Sequence, residues 1–396
     1  NSSSHQSSSG VGTVEPALNP RQANMTPKPT QMDSTQIHRR NNAPILTTVN
    51  HQFEDVVKAK QMSTSQPYKW IPVWRTLLVF AYIHAVFPYG VYLFFTRVKW
   101  ATHIFVWVSI YIGGLGITAG AHRLWAHKSY RARAPLRIIL ALFNASAFQR
   151  SIYDWVRDHR SHHRFTDTDA DPYNSQRGFF FSHMGWLLIK KHPDVQEKGN
   201  VIDMSDLESD WVVMLQKKYY GIIMPICMAV LPMAIPVYLW GEDPWNAWIV
   251  CCVSRWCYML HSTWVVNSLA HIYGNKPYDK SITPAQNVYV AIIAFGEGWH
   301  NYHHAFPWDY KTSEFSSWEL NWTSAFIDFF AKIGWAYNLK TANVEMIKKR
   351  VLSTGDGSHT LHQHLHIKGN AWGWDDLELT DEDKSMACIL FPKTEK

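Results

Sequence analysis

Four long apolar segments constrain the fold of this chain more than any other feature. They cover residues 73–95, 101–120, 219–240 and 245–266. A helix needs about 20 consecutive apolar residues to cross a bilayer, and each segment meets that length. Prolines inside the first and third segments would disrupt helices in water but are tolerated within a membrane. The sequence therefore predicts an all-α integral membrane protein with four transmembrane helices. A large soluble helical core is the alternative interpretation.

Polar sequence surrounds these segments and divides the chain into three parts. The mean hydropathy of −0.22 is ordinary for a soluble protein, because the polar ends offset the apolar centre. Residues 1–66 are rich in Ser, Thr, Gln and Asn, which predicts a disordered N-terminal tail. Residues 67–354 form the predicted membrane-bound domain, and residues 355–396 form a polar C-terminal tail.

The distribution of charge predicts the orientation in the membrane. The loop 241–244 carries Glu242 and Asp243 and no basic residue, whereas the long loop 121–218 is rich in Lys and Arg. Basic loops stay on the cytosolic side, so both termini and the long loop are predicted to be cytosolic. Arg97 and Lys99, in the first short turn, argue in the opposite direction. The net charge of +6, without a nucleic-acid-binding motif, gives no reason to expect a nucleic acid partner.

Histidine is concentrated in four short motifs on the predicted cytosolic side. The chain has 21 histidines and 5 cysteines. Nine imidazoles are enough for two metal ions, and imidazole is a suitable ligand for Fe, Zn and Cu. The scarcity of clustered thiolates excludes a zinc finger or an iron–sulfur cluster. The nine are His122 and His127 in HRLWAH, His159, His162 and His163 in HRSHH, His271 in NSLAH, and His300, His303 and His304 in HNYHH.

The spacing within each motif predicts which side chains share a helix face. HRSHH and HNYHH place imidazoles at i, i+3 and i+4, which is one face within reach of a single site. Asn267 and His271 are also four residues apart. His122 and His127 are five apart, about 140° around an ideal α-helix, so they either straddle a site or lie at a helix end.

The order of these motifs resembles the membrane-bound fatty acyl-CoA desaturases of animals, the stearoyl-CoA desaturase family, with the insect branch most similar. The resemblance covers about residues 70–357. It includes TAGAHRLWAH, WVRDHRSHHRFTDTDADPYN, RGFFFSHMGWLL, NSLAHIYGNKPYD and GEGWHNYHHAFPWDY. It implies four membrane helices and a helical cytosolic cap that holds a di-iron centre.

The resemblance also implies roles for individual residues at the metal centre. All nine histidines would be iron ligands, and Asn267 would hold one iron through a water molecule. Carboxylates commonly orient such imidazoles from behind. The candidates by proximity in sequence are Asp158, Asp167, Asp169, Asp171 and Glu297.

A third set of residues would bind the substrate. By resemblance Arg157, Lys190 and Lys191 contact CoA, Asp158 lies near its adenine, and Trp264 reaches the thioester carbonyl. Two positions depart from the family pattern: Phe148-Gln149 is followed by Arg150, and Trp74-Arg75 by Thr76, where relatives often carry Asn. Gln149 and Arg150 remain candidate substrate contacts. The predicted acyl tunnel is lined by Trp107, Tyr111, Trp256 and Tyr258, with Val106 at its floor.

The resemblance implies an acyl-CoA desaturase that uses O2 and two electrons to form a double bond, of delta-9 or delta-11 type, in a long-chain saturated acyl-CoA. The electron donor would be a separate cytochrome b5 with its NADH-dependent reductase, and the location the endoplasmic reticulum membrane. A di-iron membrane hydroxylase is the alternative enzyme. A histidine-rich membrane metal transporter is the alternative from another class, although the motifs lie outside the spans.

Overall fold

The computed structural model describes residues 68–315, 320–359, 361, 373–376 and 379–392. The predicted N-terminal tail, residues 1–66, lies outside the described part of the chain. The described part is mostly helical, with two small antiparallel sheets of two strands each.

The elements follow one another as a series of helices interrupted by short strands. In chain order the helices are α1 (Trp74–Thr96), α2 (Trp100–Leu115, continuing as a π-helix over Gly116–Ala126), α3 (Ala134–Ala147), α4 (Ile152–Arg164), α5 (Phe181–Gly185, π, then Trp186–Leu188), α6 (Pro193–Gly199), α7 (Ser205–Glu208), α8 (Trp211–Lys218), α9 (Tyr220–Pro225, Ile226–Val230 and Leu231–Trp240), α10 (Pro244–Asn246, Ala247–Ser254 and Arg255–Ile272), α11 (Val288–Ile293), α12 (His300–Ala305), α13 (Trp322–Lys332), α14 (Val344–Thr354) and α15 (Asp381–Met386). The strands are β1 (Arg131–Ala132), β2 (Ala336–Tyr337), β3 (Leu339–Ala342) and β4 (Ala387–Leu390), paired β1 with β2 and β3 with β4.

Three helices of the described chain are long and apolar enough to cross a membrane. They are Trp74–Thr96, Trp100–Ala126 and Tyr220–Trp240, which correspond to the first three predicted segments. Only 22% of the most apolar stretch of Trp74–Thr96 is buried, and only 17% of that of Tyr220–Trp240. Most apolar side chains of these two helices therefore face outward. An apolar surface of that extent is typical of contact with lipid or a partner.

The fourth predicted segment lies in α10, which is not among those three helices but carries a buried cation at its centre. Arg255 is 2% exposed. Its guanidinium donates hydrogen bonds to the carbonyls of Cys251 at 2.7 Å, Met228 at 3.0 Å and Ser146 at 3.2 Å. The charge therefore faces protein, as charges within membrane segments generally do.

Helices α3, α4 and α13 pack against the C-terminal part of α2, and the region around this contact is here called the cap. Helix α4 begins at the N-cap Ser151, whose hydroxyl accepts a hydrogen bond from the amide of Asp154. Arg160 of α4 donates to the carbonyl of Ala126 at 3.1 Å and pairs with Asp206 at 2.8 Å. This buried arginine fixes α4 against the end of α2, which brings two histidine motifs together.

The second sheet joins the predicted C-terminal tail to the cap. Strand β4, within residues 355–396, pairs with β3 in the register Leu339 to Leu390 and Ala342 to Ala387. Part of this polar segment is therefore built into the structure beside the C-terminal end of the membrane-bound domain.

Candidate metal centre

The nine motif histidines converge in the cap as two buried groups, with ligand atoms within 4.8 Å of one another in each group. All nine side chains are at least nine-tenths buried. The first group has five members and the second has four. The first is His122, His127, His159, His163 and His303, and the second is His162, His271, His300 and His304.

The three-histidine motifs are each divided between the two groups, which corrects the expectation that each motif serves one site. In α4 the i, i+4 pair His159 and His163 enters the first group, whereas His162 enters the second. In α12 the i, i+4 pair His300 and His304 enters the second group and His303 the first. Neighbouring residues on a helix point about 100° apart, so one motif can reach two adjacent ions.

A π-helix explains how His122 and His127 reach the same group. The amide of His127 donates to the carbonyl of His122 at 3.1 Å, which is an i to i+5 hydrogen bond. A π-helix carries more residues per turn than an α-helix, so residues five apart lie much closer to one face than they do in an α-helix. The two rings are 4.8 Å apart between centroids. The 140° separation of an ideal α-helix does not apply to this segment.

The imidazoles turn their Nε2 atoms toward one another. Nε2–Nε2 distances are 3.0 Å for His122 and His303, 2.9 Å for His127 and His159, and 3.0 Å for His303 and His163. In the second group the corresponding distances are 3.0 Å for His271 and His300 and 3.2 Å for His304 and His300. A single proton bridges only one pair of nitrogens, whereas a cation accepts lone pairs from several. The donor set therefore fits two metal ions.

The electrostatic environment favours the neutral form of six of these imidazoles. Burial lowers the pKa of His159, His163 and His303 well below the usual range, and the neighbouring imidazoles lower it further. The pKa values of His271, His300 and His304 are lowered for the same two reasons. A neutral imidazole offers the lone pair that a metal ligand needs. These six histidines, three in each group, are thus in the protonation state required for binding.

Carboxylates behind two of the rings fix their orientation. Glu297 Oε2 lies 2.9 Å from His122 Nδ1, and Asp171 Oδ2 lies 2.9 Å from His162 Nδ1. Since each carboxylate accepts the Nδ1 proton, the Nε2 lone pair is directed at the metal position. Tyr173 was not anticipated from the sequence; its hydroxyl lies 3.3 Å from the Nδ1 of His159.

The ion pair of Glu297 with Arg123 supports the first group from α2. The guanidinium is fully buried and donates to Glu297 Oε1 at 2.8 and 3.1 Å. Burial alone would raise the pKa of this carboxyl, but Arg123 and His122 lower it to about 2. Glu297 therefore stays ionised and balances one buried positive charge beside the metal position.

The other candidate carboxylates have different partners. Asp167 accepts from the hydroxyl of Thr283, which lies 3.4 Å from the Nδ1 of His271. Asp169 pairs with Arg177 at 2.6 Å. Asp158 pairs with basic residues at the surface of the cap rather than with a histidine.

A mostly apolar cavity of about 500 Å³ opens onto both histidine groups. Its volume lies within the range of about 300–1,000 Å³ found for small-molecule sites. His122 and His159 of the first group and His162 and His300 of the second form part of its wall, as does Asn267. The cavity extends from there between α1, α2 and α10, along Val79, Phe80, Ile110, Ile117 and Leu260. An elongated apolar ligand fits this space with one part beside the metal positions.

A model of the fatty acid desaturase family matches residues 98–321. An acyl-CoA delta-9 desaturase of Acheta domesticus is 56% identical over 330 residues, 83% of this chain and 89% of that relative. The chain belongs to the fatty acid desaturase family. An acyl-CoA delta-12 desaturase of the same species is 50% identical over 336 residues (85% and 91%), and an acyl-CoA delta-11 desaturase of Trichoplusia ni is 49% identical over 350 residues (88% and 97%). The predicted resemblance to insect desaturases is confirmed.

Several of the substrate contacts expected for a desaturase lie on the cavity wall. Gln149, Arg150, Asp158 and Trp264 line it, as does Thr76. The two positions expected to depart from the family pattern, 76 and 150, are therefore both on the cavity wall. At position 150 a guanidinium places positive charge there.

The basic residues expected at CoA form a charged network around Asp158, and of this network Arg150 and Asp158 line the cavity. Arg150 and Lys191 both bind Asp158 Oδ2, the arginine at 2.7 Å. Arg157 lies 4.0 Å from the other oxygen of that carboxylate and is partly exposed. Lys190 has an exposed side chain, and its backbone amide donates to the carbonyl of Ile71, ahead of α1. The structure thus places three cations, Arg150, Arg157 and Lys191, around one carboxylate.

The aromatic residues predicted to line a desaturase tunnel are divided. Trp256 lines the cavity. Trp107 and Tyr258 contact each other, with ring centroids 5.9 Å apart, and Tyr111 packs against Phe295, which does line it. The remaining candidate, Val106, is buried in a neighbouring apolar cluster. The cavity wall also contains aromatic residues that the sequence did not single out, among them Phe80, Trp155 and Phe295.

Proposed function

We propose that this protein is an acyl-CoA desaturase that introduces a double bond, at the delta-9 or delta-11 position, into a long-chain saturated fatty acyl-CoA. The observation that carries the proposal is that two groups of buried imidazoles open onto one mostly apolar cavity. Membership of the desaturase family favours this activity over a related hydroxylase and over a metal transporter. Relatives named as delta-9 and delta-11 desaturases support the two positions.

The metal ligands would be the nine histidines, divided as the structure groups them. His122, His127, His159, His163 and His303 would hold one iron, and His162, His271, His300 and His304 the other. Asn267 would complete the second site through a water molecule. Bound iron supplies the O2 chemistry that removal of hydrogen from an unactivated methylene requires, which amino-acid side chains alone do not provide.

The chain itself positions the substrate and keeps water out. The cavity would hold the acyl chain with two adjacent methylenes beside His122, His159 and His300, and a misplacement of about 1 Å is expected to slow such a reaction strongly. Trp155 stacks on His159 with centroids 4.8 Å apart and lines the same wall. Its bulk fixes this imidazole and leaves less room for water beside it.

The cap would receive the CoA portion. Arg150, Arg157, Lys190 and Lys191 supply positive charge for its phosphates, because guanidinium and ammonium groups form short, charge-assisted hydrogen bonds with phosphate oxygens. Asp158 would hold these cations in place and face the adenine. Gln149, which donates to the hydroxyl of Thr263 at 2.8 Å, and Trp264 would contact the thioester end.

We extend the proposal to the cellular setting. The enzyme would lie in the endoplasmic reticulum membrane, with α10 as a fourth span and both termini cytosolic. Two electrons per turnover would come from cytochrome b5, reduced by its NADH-dependent reductase, and O2 would be the co-substrate. The basic loops that predict the orientation support the cytosolic position of the cap.

Expression in desaturase-deficient yeast tests the activity. The wild-type chain should restore growth without added unsaturated fatty acid, and double bonds mapped by mass spectrometry should lie at the delta-9 or delta-11 position. His303→Ala should abolish the product, because His303 Nε2 meets the Nε2 atoms of both His122 and His163. His103→Gln is the matched control, since His103 lies near the opposite end of α2.

Three results would contradict the proposal. A hydroxy fatty acid in place of an alkene would indicate the related hydroxylase. Full activity of His303→Ala would contradict its role as a ligand. Metal uptake that depends on the motif histidines, with no change in lipid composition, would favour the transporter.

A further inference from the structure

A third group of metal-binding side chains lies outside the two histidine groups. It consists of His84 on α1 and Cys257 and His261 on α10, with ligand atoms within 4.8 Å of one another. Cys257 is buried, and both histidines are partly buried. Cys257 and His261 are four residues apart on one helix, so they present their side chains on the same face, toward His84.

The hydrogen bonds of His84 leave one lone pair directed into the group. Its Nδ1 lies 2.6 Å from the carbonyl oxygen of Phe80, which only accepts, so Nδ1 carries the proton. The Nε2 of His84 is therefore unprotonated in the neutral ring. This nitrogen faces the Nε2 of His261 at 3.0 Å. The same spacing occurs within the two groups of motif histidines.

His183, which is outside the group, orients the ring of His261 through a hydrogen bond to its Nδ1. His183 Nε2 lies 2.9 Å from His261 Nδ1, and His183 Nδ1 lies 2.9 Å from the hydroxyl of Ser268. That hydroxyl donates to the carbonyl of Trp264 at 2.9 Å and so accepts from His183. With this direction of donation, His183 accepts from His261 Nδ1, and His261 also presents a bare Nε2 to the group. Metal-bound histidines commonly use their second nitrogen in this way.

We propose that His84, Cys257 and His261 form a third metal site, distinct from the proposed di-iron centre, that binds a soft or borderline d10 cation, Zn²⁺ or Cu⁺. Two imidazoles and one thiolate are ligands that such cations prefer to hard oxygen ligands. Zn–N bonds of about 2.0–2.1 Å place two tetrahedral ligand nitrogens about 3.3 Å apart, so the pair at 3.0 Å needs little movement. Binding releases the thiol proton of Cys257 to solvent.

The site joins two helices beside the substrate cavity. His84 belongs to α1, whereas Cys257 and His261 belong to α10. The ring of His261 lies 5.1 Å from that of Trp264, which in turn lies 5.2 Å from Phe80. Trp264 and Phe80 both line the cavity. A bound cation would therefore clamp the two helices at the position where the cavity wall is formed.

X-ray absorption spectroscopy of the intact, iron-loaded protein tests the proposal. One equivalent of Zn²⁺ or of Cu⁺ is added in separate experiments, and the spectrum is recorded at the edge of that metal. We expect nitrogen scatterers at about 2.0 Å and one sulfur scatterer at about 2.3 Å. The two groups of motif histidines contain no cysteine. A sulfur scatterer therefore identifies this site even if the proposed iron centre is wrong.

Variants assign the sulfur to its residue. Cys257→Ser should remove the sulfur signal and weaken retention of the added cation by at least about tenfold. His261→Asn should weaken retention by a similar factor while the folded protein keeps its iron. Cys252→Ser is the matched control, because Cys252 is buried on the same helix and bonds to the carbonyl of Ala229.

Two outcomes overturn the proposal. If neither cation shows a sulfur scatterer in the wild-type protein, His84 and His261 share a proton and not a metal ion. If Cys257→Ser retains the cation and its sulfur signal, the ligand is a different cysteine. The wild-type spectrum decides the first question even if a variant does not fold.

Discussion

The ion pair of Glu297 with Arg123 offers a measurement of how much the buried carboxylate stabilises the cap. Glu297→Gln keeps the size of the side chain and removes its charge. Arg123, 0% exposed, then loses its anionic partner and keeps the carbonyl of Tyr310 at 2.8 Å and the hydroxyl of Ser324 at 2.9 Å. Removal of one partner of a buried ion pair typically destabilises a protein by about 3–5 kcal/mol.

The pKa of Glu297 gives a similar magnitude. A fall from 4.5 to about 2 corresponds to about 3 kcal/mol, at about 1.4 kcal/mol for each tenfold change in the dissociation constant. Because the pKa is lower in the folded state, this stabilisation is present above pH 4.5 and is lost as the pH falls toward 2. The difference between wild type and Glu297→Gln should therefore be constant from pH 7 to 5 and shrink below pH 4.5.

Thermal unfolding of the detergent-solubilised protein, followed by tryptophan fluorescence, measures this effect. The midpoint for Glu297→Gln should fall on the order of 5 °C. Glu345→Gln, at an exposed position on α14, is the control and should change the midpoint little. Arg123→Met combined with Glu297→Gln should cost less than the sum of the single changes, because no unpaired charge remains. A midpoint within about 1 °C of wild type for Glu297→Gln would refute the reasoning.

Two other substitutions test the site. Arg150→Asn removes a cation that lies 2.7 Å from Asp158. In steady-state kinetics the KM for acyl-CoA should rise several-fold, with little change in kcat. An unchanged KM would count against a CoA contact. Asp171→Asn removes the carboxylate that bonds to the Nδ1 of His162. The metal affinity of the group that contains His162 should fall about 10- to 100-fold. The metal content after dialysis against a chelator measures this loss. Asp169→Asn is the control, because Asp169 pairs with Arg177, and this variant should keep both metal ions. Equal losses of metal in the two variants would contradict the role of Asp171 in orienting His162.

Much of the membrane domain follows from local sequence. Three predicted segments coincide with helices that are apolar enough to cross a bilayer. Arg255 lies within the fourth predicted segment, and the structure buries it. Hydropathy alone could not show its partners, because Met228 and Ser146 lie on helices distant in sequence.

The metal centre shows where local reasoning fails. An α-helical spacing of 140° separated His122 from His127, but the π-helix places both in one group. The three histidines of HRSHH were expected within reach of a single site and are divided between two groups. His84, His183 and His261 belong to none of the four histidine motifs, and the contacts that join them span three separate elements.

The sequence by itself determined the membrane class, the family and the identity of the nine clustered histidines, because apolar length and the composition of short motifs are local properties. The tertiary structure decided which imidazoles share a group, and it placed Glu297 beside Arg123, 174 residues away along the chain. It also assembled the cavity from α1, α2 and α10. Such arrangements depend on how distant helices pack, and packing is fixed by the shapes and charges of many side chains together.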